Sequence, residues 1–204
     1  MPEAGVAPLQ YAQIRLAAEA LARAFDDSPI IRYLIPKDRP RTVGMRATFI
    51  AGLLDAYKHG EAWIATADDE IVGAAIWLPP GGFPPTAGRQ LRQVLHLLAV
   101  APVAPLALPR SLRYLRRVEA VHPHEEHWYL SVLGVDPAHQ GRGWGGRLLD
   151  TVLPKVDEAG LPAYLETDKE RNLAYYRRFG FELVEQIHPV AGGPPTWTMW
   201  RDAR

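Results

Sequence analysis

The chain has 204 residues, 48% of them hydrophobic, with 23 Lys and Arg against 23 Asp and Glu. That is enough for one sizeable core, and it leaves no net charge to draw nucleic acid to the whole surface. With no cysteine, disulfides, Cys-ligated zinc, iron–sulfur clusters and a thiol nucleophile are all excluded.

Residues 11–27 carry helical periodicity through Ile14, Ala17, Ala18, Leu21 and Phe25. Ser28-Pro29 stops that helix or starts a short one, and Pro36 and Pro40 bracket a turn. A second helix is expected over 43–58. Residues 62–67 and 71–78 read as a hairpin of two strands around Asp68-Asp69, ended by Pro79-Pro80-Gly81-Gly82. Residues 83–120 are too long for a plain loop. They predict two helices, the first with Leu91, Val94, Leu95 and Leu98 along one stripe, hinged at Pro102, Pro105 and Pro109. Residues 97–108 are the most apolar run, yet too short to span a bilayer. With no signal-type apolar segment at the start, the expectation is a cytoplasmic protein without a membrane partner.

Residues 127–135 read as a buried central strand. A helix over 143–159, a strand over 163–166, a helix over 171–179 and strands over 181–187 and 196–200 complete the chain. The alternation implies an α/β fold: one domain over 1–204, a mixed central sheet flanked by helices, with a helical insertion before the central strand.

The informative stretch is Gln140-Gly141-Arg142-Gly143-Trp144-Gly145-Gly146-Arg147. Four glycines in six residues cost helix propensity, and an anion held by the free N–H groups of a helix start would offset that cost. Gly141, Gly143 and Gly145 would leave room for a phosphate, Arg142 and Arg147 would add charge, and Trp144 would pack inward. The Lys-Ser/Thr of a Walker A loop is missing. The Gly-x-Gly-x-x-Gly spacing of a dinucleotide fold is present, but too late in the chain.

This stretch resembles the Gln/Arg-x-x-Gly-x-Gly/Ala signature of the GNAT N-acetyltransferases. Asn172, Tyr176, Gly180 and Phe181 resemble that superfamily's second signature. His127-Trp128-Tyr129-Leu130, Tyr164-Leu165-Glu166-Thr167 and the C-terminal Gly193-Pro194-Pro195-Thr196-Trp197 look most like the puromycin N-acetyltransferase branch. The resemblance implies a GNAT-type, strongly twisted sheet and acetyl-CoA as co-substrate. It implies that Gln140 to Gly146 cradle the diphosphate, that the backbone of Leu133, Gly134 and Val135 pairs with pantetheine, and that Asn172 fixes the loop beside it. It also implies direct transfer to a small-molecule amine, with Tyr176 protonating the departing thiolate.

The base is open at this level. Glu126 and His127, with Glu125, stand at the mouth of the central strand, and water alone is the other choice. Glu166 is placed to hold an acceptor ammonium. His124-Glu125-Glu126-His127 lacks the His-Glu-x-x-His spacing, so no metal is expected. Transfer to a protein amine and a silent acyl-CoA-sensing module are the competing functions. A monomer or a homodimer is expected, the insertion forming either a wall of the acceptor pocket or a dimer contact.

Overall fold

The computed structural model describes residues 4–98 and 107–204. The strands are β1 (Gly5–Pro8), β2 (Glu61–Ala67), β3 (Glu70–Leu78), β4 (Trp128–Val135), β5 (Ala163–Thr167), β6 (Glu182–Ile187) and β7 (Thr196–Arg201). The helices are α1 (Ile14–Ala24), α2 (Pro29–Leu34), α3 (Asp38–His59), α4 (Ala87–Leu98), α5 (Ala107–Val121), α6 (Trp144–Leu149), α7 (Leu153–Glu158) and α8 (Arg171–Arg177). The strands form one mixed sheet in the order β1-β2-β3-β4-β5-β7-β6.

Alternation along the strands builds a core on each face. Ala75 and Trp77 meet Leu148, Leu149, Val152 and Val156 on the α6–α7 side. Ala74 and Ile76 meet Leu21, Phe49 and Leu53 on the α1–α3 side. Among the described residues, no helix is long and apolar enough to cross a membrane.

Only β4 and β5 run parallel, and they pair over three positions: Trp128 with Ala163, Tyr129 with Tyr164, and Leu130 with Leu165. Opposite β3, Ile76 faces Val132 and Trp77 faces Leu130, so Ser131 is a bulged extra residue. A bulge bends its strand. Beyond it β4 continues along β3 to Val135, while β5 ends at Thr167. The sheet therefore opens between β4 and β5, and the β5-facing edge of β4 from Val132 to Val135 has no strand partner.

The expected helix over 143–159 is two helices. Pro154, in the first turn of α7, has no N–H to give the carbonyl four residues back, and its ring crowds that carbonyl. Conversely, two prolines expected to break structure do not. Pro40 and Pro109 lie in the first turns of α3 and α5, where their missing N–H would have had no helical partner. Strand β1 was not expected from the sequence. It is a four-residue edge strand ending in proline, too short to carry a period.

In the insertion, α4 is held to α3 by Arg89, whose Nε and Nη2 donate to Asp55 at 2.9 and 2.5 Å. Leu91 and Leu95, two residues of the expected α4 stripe, are exposed. The proline joint at Pro102 and Pro105 lies outside the described residues.

Candidate active site

The turn after β4 is built by Asp136. Its Oδ1 accepts the Ala138 N–H at 3.0 Å, and its carbonyl accepts the His139 N–H at 2.8 Å. Arg23 of α1 pairs with the same carboxylate. Burial alone would raise this carboxyl, but the Arg23 guanidinium and the Ala138 N–H outweigh it and hold it below its ordinary range. Gln140 Nε2 donates to the Val135 carbonyl at 2.9 Å, closing the loop back on the strand.

Gly141 and Gly143 then adopt φ of 75° and 82°, which L side chains rarely take. Gly143 caps α6. The first chain-accepted hydrogen bond into the helix is from the Arg147 N–H to the Gly143 carbonyl, at 3.1 Å. Among the described residues, nothing accepts from the N–H groups of Gly143, Trp144, Gly145 or Gly146. A Cβ on Gly141 or Gly143 would meet nothing within 4 Å. Four free donors under open space, with Arg142 and Arg147 exposed beside them, fit the diphosphate of acetyl-CoA.

One expected role in this turn changes. Gly145 does not clear space for a phosphate: a Cβ there would lie 2.6 Å from the Tyr175 hydroxyl, and one on Gly146 3.3 Å from the Phe179 ring. Both glycines admit α8 and the turn after it from the inner side. Gly134 is likewise a packing glycine, since a Cβ would lie 2.8 Å from both Leu21 and Phe25 of the α1 segment. Its backbone still lies on the unpaired edge with Leu133 and Val135. Trp144 packs inward as expected, 6% exposed, with the Arg147 guanidinium 4.8 Å above its ring.

Helix α8 sits beside the opening. Asn172 Nδ2 donates to Thr167 Oγ1 at 2.9 Å and ties the helix start to the end of β5. Tyr176 is buried, its ring 6.0 Å from Phe181 and 5.3 Å from Tyr175. Burial first, then Tyr175 and Asp168, push its phenol well above the ordinary range. It is therefore protonated at neutral pH, the state a general acid needs. Burial pushes Tyr175 up to about 12 against the opposing pull of Arg178.

On the other face of the sheet, at the same opening, lies a second cluster. Tyr129, Tyr164, Leu78, Phe83 and Trp200 form an aromatic wall, and Glu166 follows Tyr164 on the same face of β5. The Glu166 side chain is 9% exposed, and among the described residues its Oε1 is buried without a hydrogen-bond partner. His122, just past the end of α5, places Nδ1 3.7 Å from that oxygen and Nε2 3.1 Å from His127 Nε2. His127 Nδ1 lies 2.6 Å from the Glu125 carbonyl. Burial, with His122 beside it, holds His127 below its ordinary range despite the Glu125 contact. Tyr114 of α5, Tyr129 and Tyr164 are all pushed up, by burial first and then by the Glu166 carboxylate. Among the described residues, no group of three or more His, Asp and Glu is arranged to hold a metal.

Of the base candidates, the structure brings His127 into this cluster and leaves the Glu126 side chain exposed. Sequence reasoning missed the direct approach of His122 to Glu166. Its one signal was histidine density over 122–127, because the contact depends on how α5 ends over β5.

The model of the Acetyltransferase (GNAT) family matches residues 28–181. An uncharacterized N-acetyltransferase of Schizosaccharomyces pombe is 25% identical over 182 residues, covering 84% of this chain and 72% of that protein. The N-alpha-acetyltransferase RimI of Mycobacterium tuberculosis is 43% identical over 75 residues, covering 35% of this chain and 46% of its own length. A Corynebacterium glutamicum crystal structure described as histone acetyltransferase HPA2 and related acetyltransferase superposes with a TM-score of 0.70 at 24% identity, covering 98% of this chain and 97% of that one. The polyamine N-acetyltransferase of Drosophila melanogaster, which forms N-acetylagmatine, superposes at 0.58 with 17% identity over 98% of this chain and 100% of that one. With three quarters of its length matched by the family model, the chain belongs to the Acetyltransferase (GNAT) family.

Proposed function

We propose that this enzyme transfers the acetyl group of acetyl-CoA directly to the primary amine of a small molecule, both substrates being bound at once. One observation carries the acceptor class: where the β4–β5 pairing ends, Glu166 keeps one buried carboxylate oxygen, Oε1, without a hydrogen-bond partner among the described residues, in the company of Tyr129 and Tyr164. A buried carboxylate without a partner is costly, and an ammonium group supplies the charge and the donors it lacks. The rings of Phe83, Tyr129 and Trp200 suit an aromatic or aliphatic body on the same molecule.

Acetyl-CoA supplies an acetyl group already activated as a thioester. The N–H groups of Gly143 to Gly146, with Arg142 and Arg147, hold its diphosphate. The free edge of Leu133, Gly134 and Val135 guides the pantetheine, and Asn172 fixes the adjoining end of β5. Tyr176 gives its proton to the departing sulfur. His127 belongs to the group that receives the proton of the amine. No covalent enzyme intermediate is required.

The test is thiol release from acetyl-CoA across a panel of primary amines that includes aminonucleosides. Turnover on at least one small amine is expected. Binding of acetyl-CoA by calorimetry with no turnover on any amine would instead identify an acyl-CoA-sensing module. A second reading, acetylation of a protein N-terminus, has the local likeness to RimI in its favour. Cell lysate incubated with labelled acetyl-CoA separates the two, because only that reading gives labelled protein bands. Against it stands the burial of the cluster, where His122, His127, Tyr129 and Tyr164 are each at most 9% exposed.

A further inference from the structure

We propose that His122 Nδ1 is the proton acceptor for the substrate amine, held in the required tautomer by His127. The assignment rests on the amine-acetyltransferase reading above and supplies its missing base. It follows from counting donors and acceptors. The Glu125 carbonyl can only accept, so His127 carries its hydrogen on Nδ1 to make the 2.6 Å contact. Neutral His127 then has a bare lone pair on Nε2. Only a hydrogen on His122 Nε2 satisfies the 3.1 Å contact between the two rings. Neutral His122 is thereby left with a bare lone pair on Nδ1.

Among the described residues that lone pair is buried and without a hydrogen-bond partner, and so is the Oε1 of Glu166, 3.7 Å away. Two acceptors facing each other cannot satisfy one another. The Tyr164 hydroxyl, also buried, lies near the Glu166 carboxylate, and its ring centroid lies 4.9 Å from that of His122. Two orphaned acceptors 3.7 Å apart, with the Tyr164 ring packed beside them, can take two of the N–H donors of a primary ammonium. The titratable groups packed against His122 are Tyr129 from β4, Tyr164 and Glu166 from β5, and His127 from the loop before β4, while Tyr114 of α5 lies near Glu166. Glu166 is the only carboxylate among them.

The step is a single proton transfer. An N–H bond of R–NH3+ breaks, its electron pair stays on the amine nitrogen, and the proton binds the Nδ1 lone pair of His122. The imidazolium so formed faces the Glu166 carboxylate, which stabilises it. The amine is left neutral, with a lone pair free to attack.

Protein labelled with 15N-histidine gives the tautomers directly by NMR, without turnover. His127 is expected as Nδ1–H and His122 as Nε2–H, and added methylammonium, the smallest primary ammonium, is expected to move the His122 Nδ1 resonance. A hydrogen on His122 Nδ1 in the amine-free protein at neutral pH, or no response to methylammonium, overturns the assignment. In His127→Gln the His122 tautomer preference is expected to be lost, which a purely structural role for His127 would not produce. With any amine from the panel that turns over, His122→Gln is expected to lower kcat by about 100-fold or more while leaving the KM for acetyl-CoA unchanged. His122→Gly is expected to regain rate with added imidazole. Wild-type kcat in a folded His122→Gln enzyme overturns the assignment. If no amine in the panel reacts, the proposed function is at fault, and the NMR outcomes still decide on His122.

Discussion

Single residues divide the work at the opening between the two sheet halves. Tyr176 stays protonated because burial suppresses its phenolate, so Tyr176→Phe is expected to cut kcat by about 10²-fold or more. Acetyl-CoA affinity by calorimetry is expected to be unchanged. A wild-type rate in that variant removes Tyr176 from the chemistry. The glycines of the cradle separate by a different measurement. Gly145→Ala drives a methyl against the Tyr175 hydroxyl, and overpacking of this kind costs about 1–3 kcal/mol. That hydroxyl is itself buried without a partner, so Tyr175→Phe is expected to be close to neutral alone and to recover most of the loss in the Gly145→Ala background. Equal losses in both backgrounds, read by urea unfolding, would show that the hydroxyl is not the obstruction. Gly143 is a poor position for a β-branched probe of the diphosphate, because its left-handed φ adds backbone strain to any loss of binding.

These residues also mark how far the sequence could be read. Gly141 and Gly143 were legible because a positive φ at a helix start has a local signature that only glycine meets cheaply. Gly145 and Gly134 were not: their neighbours are Tyr175, thirty positions downstream, and Leu21, over a hundred upstream. His122 is a like case, since its partner Glu166 lies across a strand crossover.

At the scale of elements, periodicity located β2 to β7 and most helices, while the short edge strand β1 left no pattern to read. Pro40, Pro109 and Pro154 all sit in first turns. Proline reads as a breaker in sequence, yet the structure accepts it wherever the N–H would be orphaned. The opening of the sheet had no such local mark. It depends on one bulged residue, Ser131, and on β5 stopping at Thr167.

The junction of α1 with the end of β4 depends on Asp136, which combines a cap and an ion pair. Asp136→Asn keeps an acceptor for the Ala138 N–H and loses only the charge toward Arg23, half of whose side chain is exposed. Screening makes such a pair worth little. Asp136→Asn is therefore expected to cost under about 1 kcal/mol, and Asp136→Ala about 1–2 kcal/mol. Equal losses in thermal unfolding would mean that the ion pair carries the junction.

For the molecule as a whole, two sets of depressed groups set its response to acid. His127 is held below its ordinary range by burial, so below about pH 6.5 the unfolded chain binds a proton that the folded chain refuses. Its contribution is fully present above that pH and is lost as pH falls toward the folded value. Asp27 is raised by burial, but Lys169 and Arg171 outweigh that effect. Asp136 and Asp157 are held low by Arg23 and Arg201. The contributions of these carboxylates persist above about pH 3.9 and are lost only below it. Unfolding free energy is thus expected to fall in two stages on acidification. Replacing His127 by Gln is expected to flatten the upper stage alone, and an unaltered upper stage would assign it to other groups.

The glycine cradle and the Glu166–His122 cluster lie on opposite faces of one sheet. The cradle opens beside α6 and the α8 face, while Glu166 and His122 lie on the face covered by α5. The β4–β5 opening borders both faces, and on the proposed reading the two substrates meet there, so an acetyl group has no need of a covalent stop on the enzyme. The sequence also lacks the thiol that would offer one. Initial-rate lines at fixed amine concentrations are therefore expected to intersect, as in a ternary complex. Labelled CoA is expected not to exchange into acetyl-CoA when the amine is left out. Parallel lines together with amine-independent exchange would mean that the acetyl group rests on a side chain first, and the division of labour between Tyr176 and the His122 cluster would then have to be reassigned.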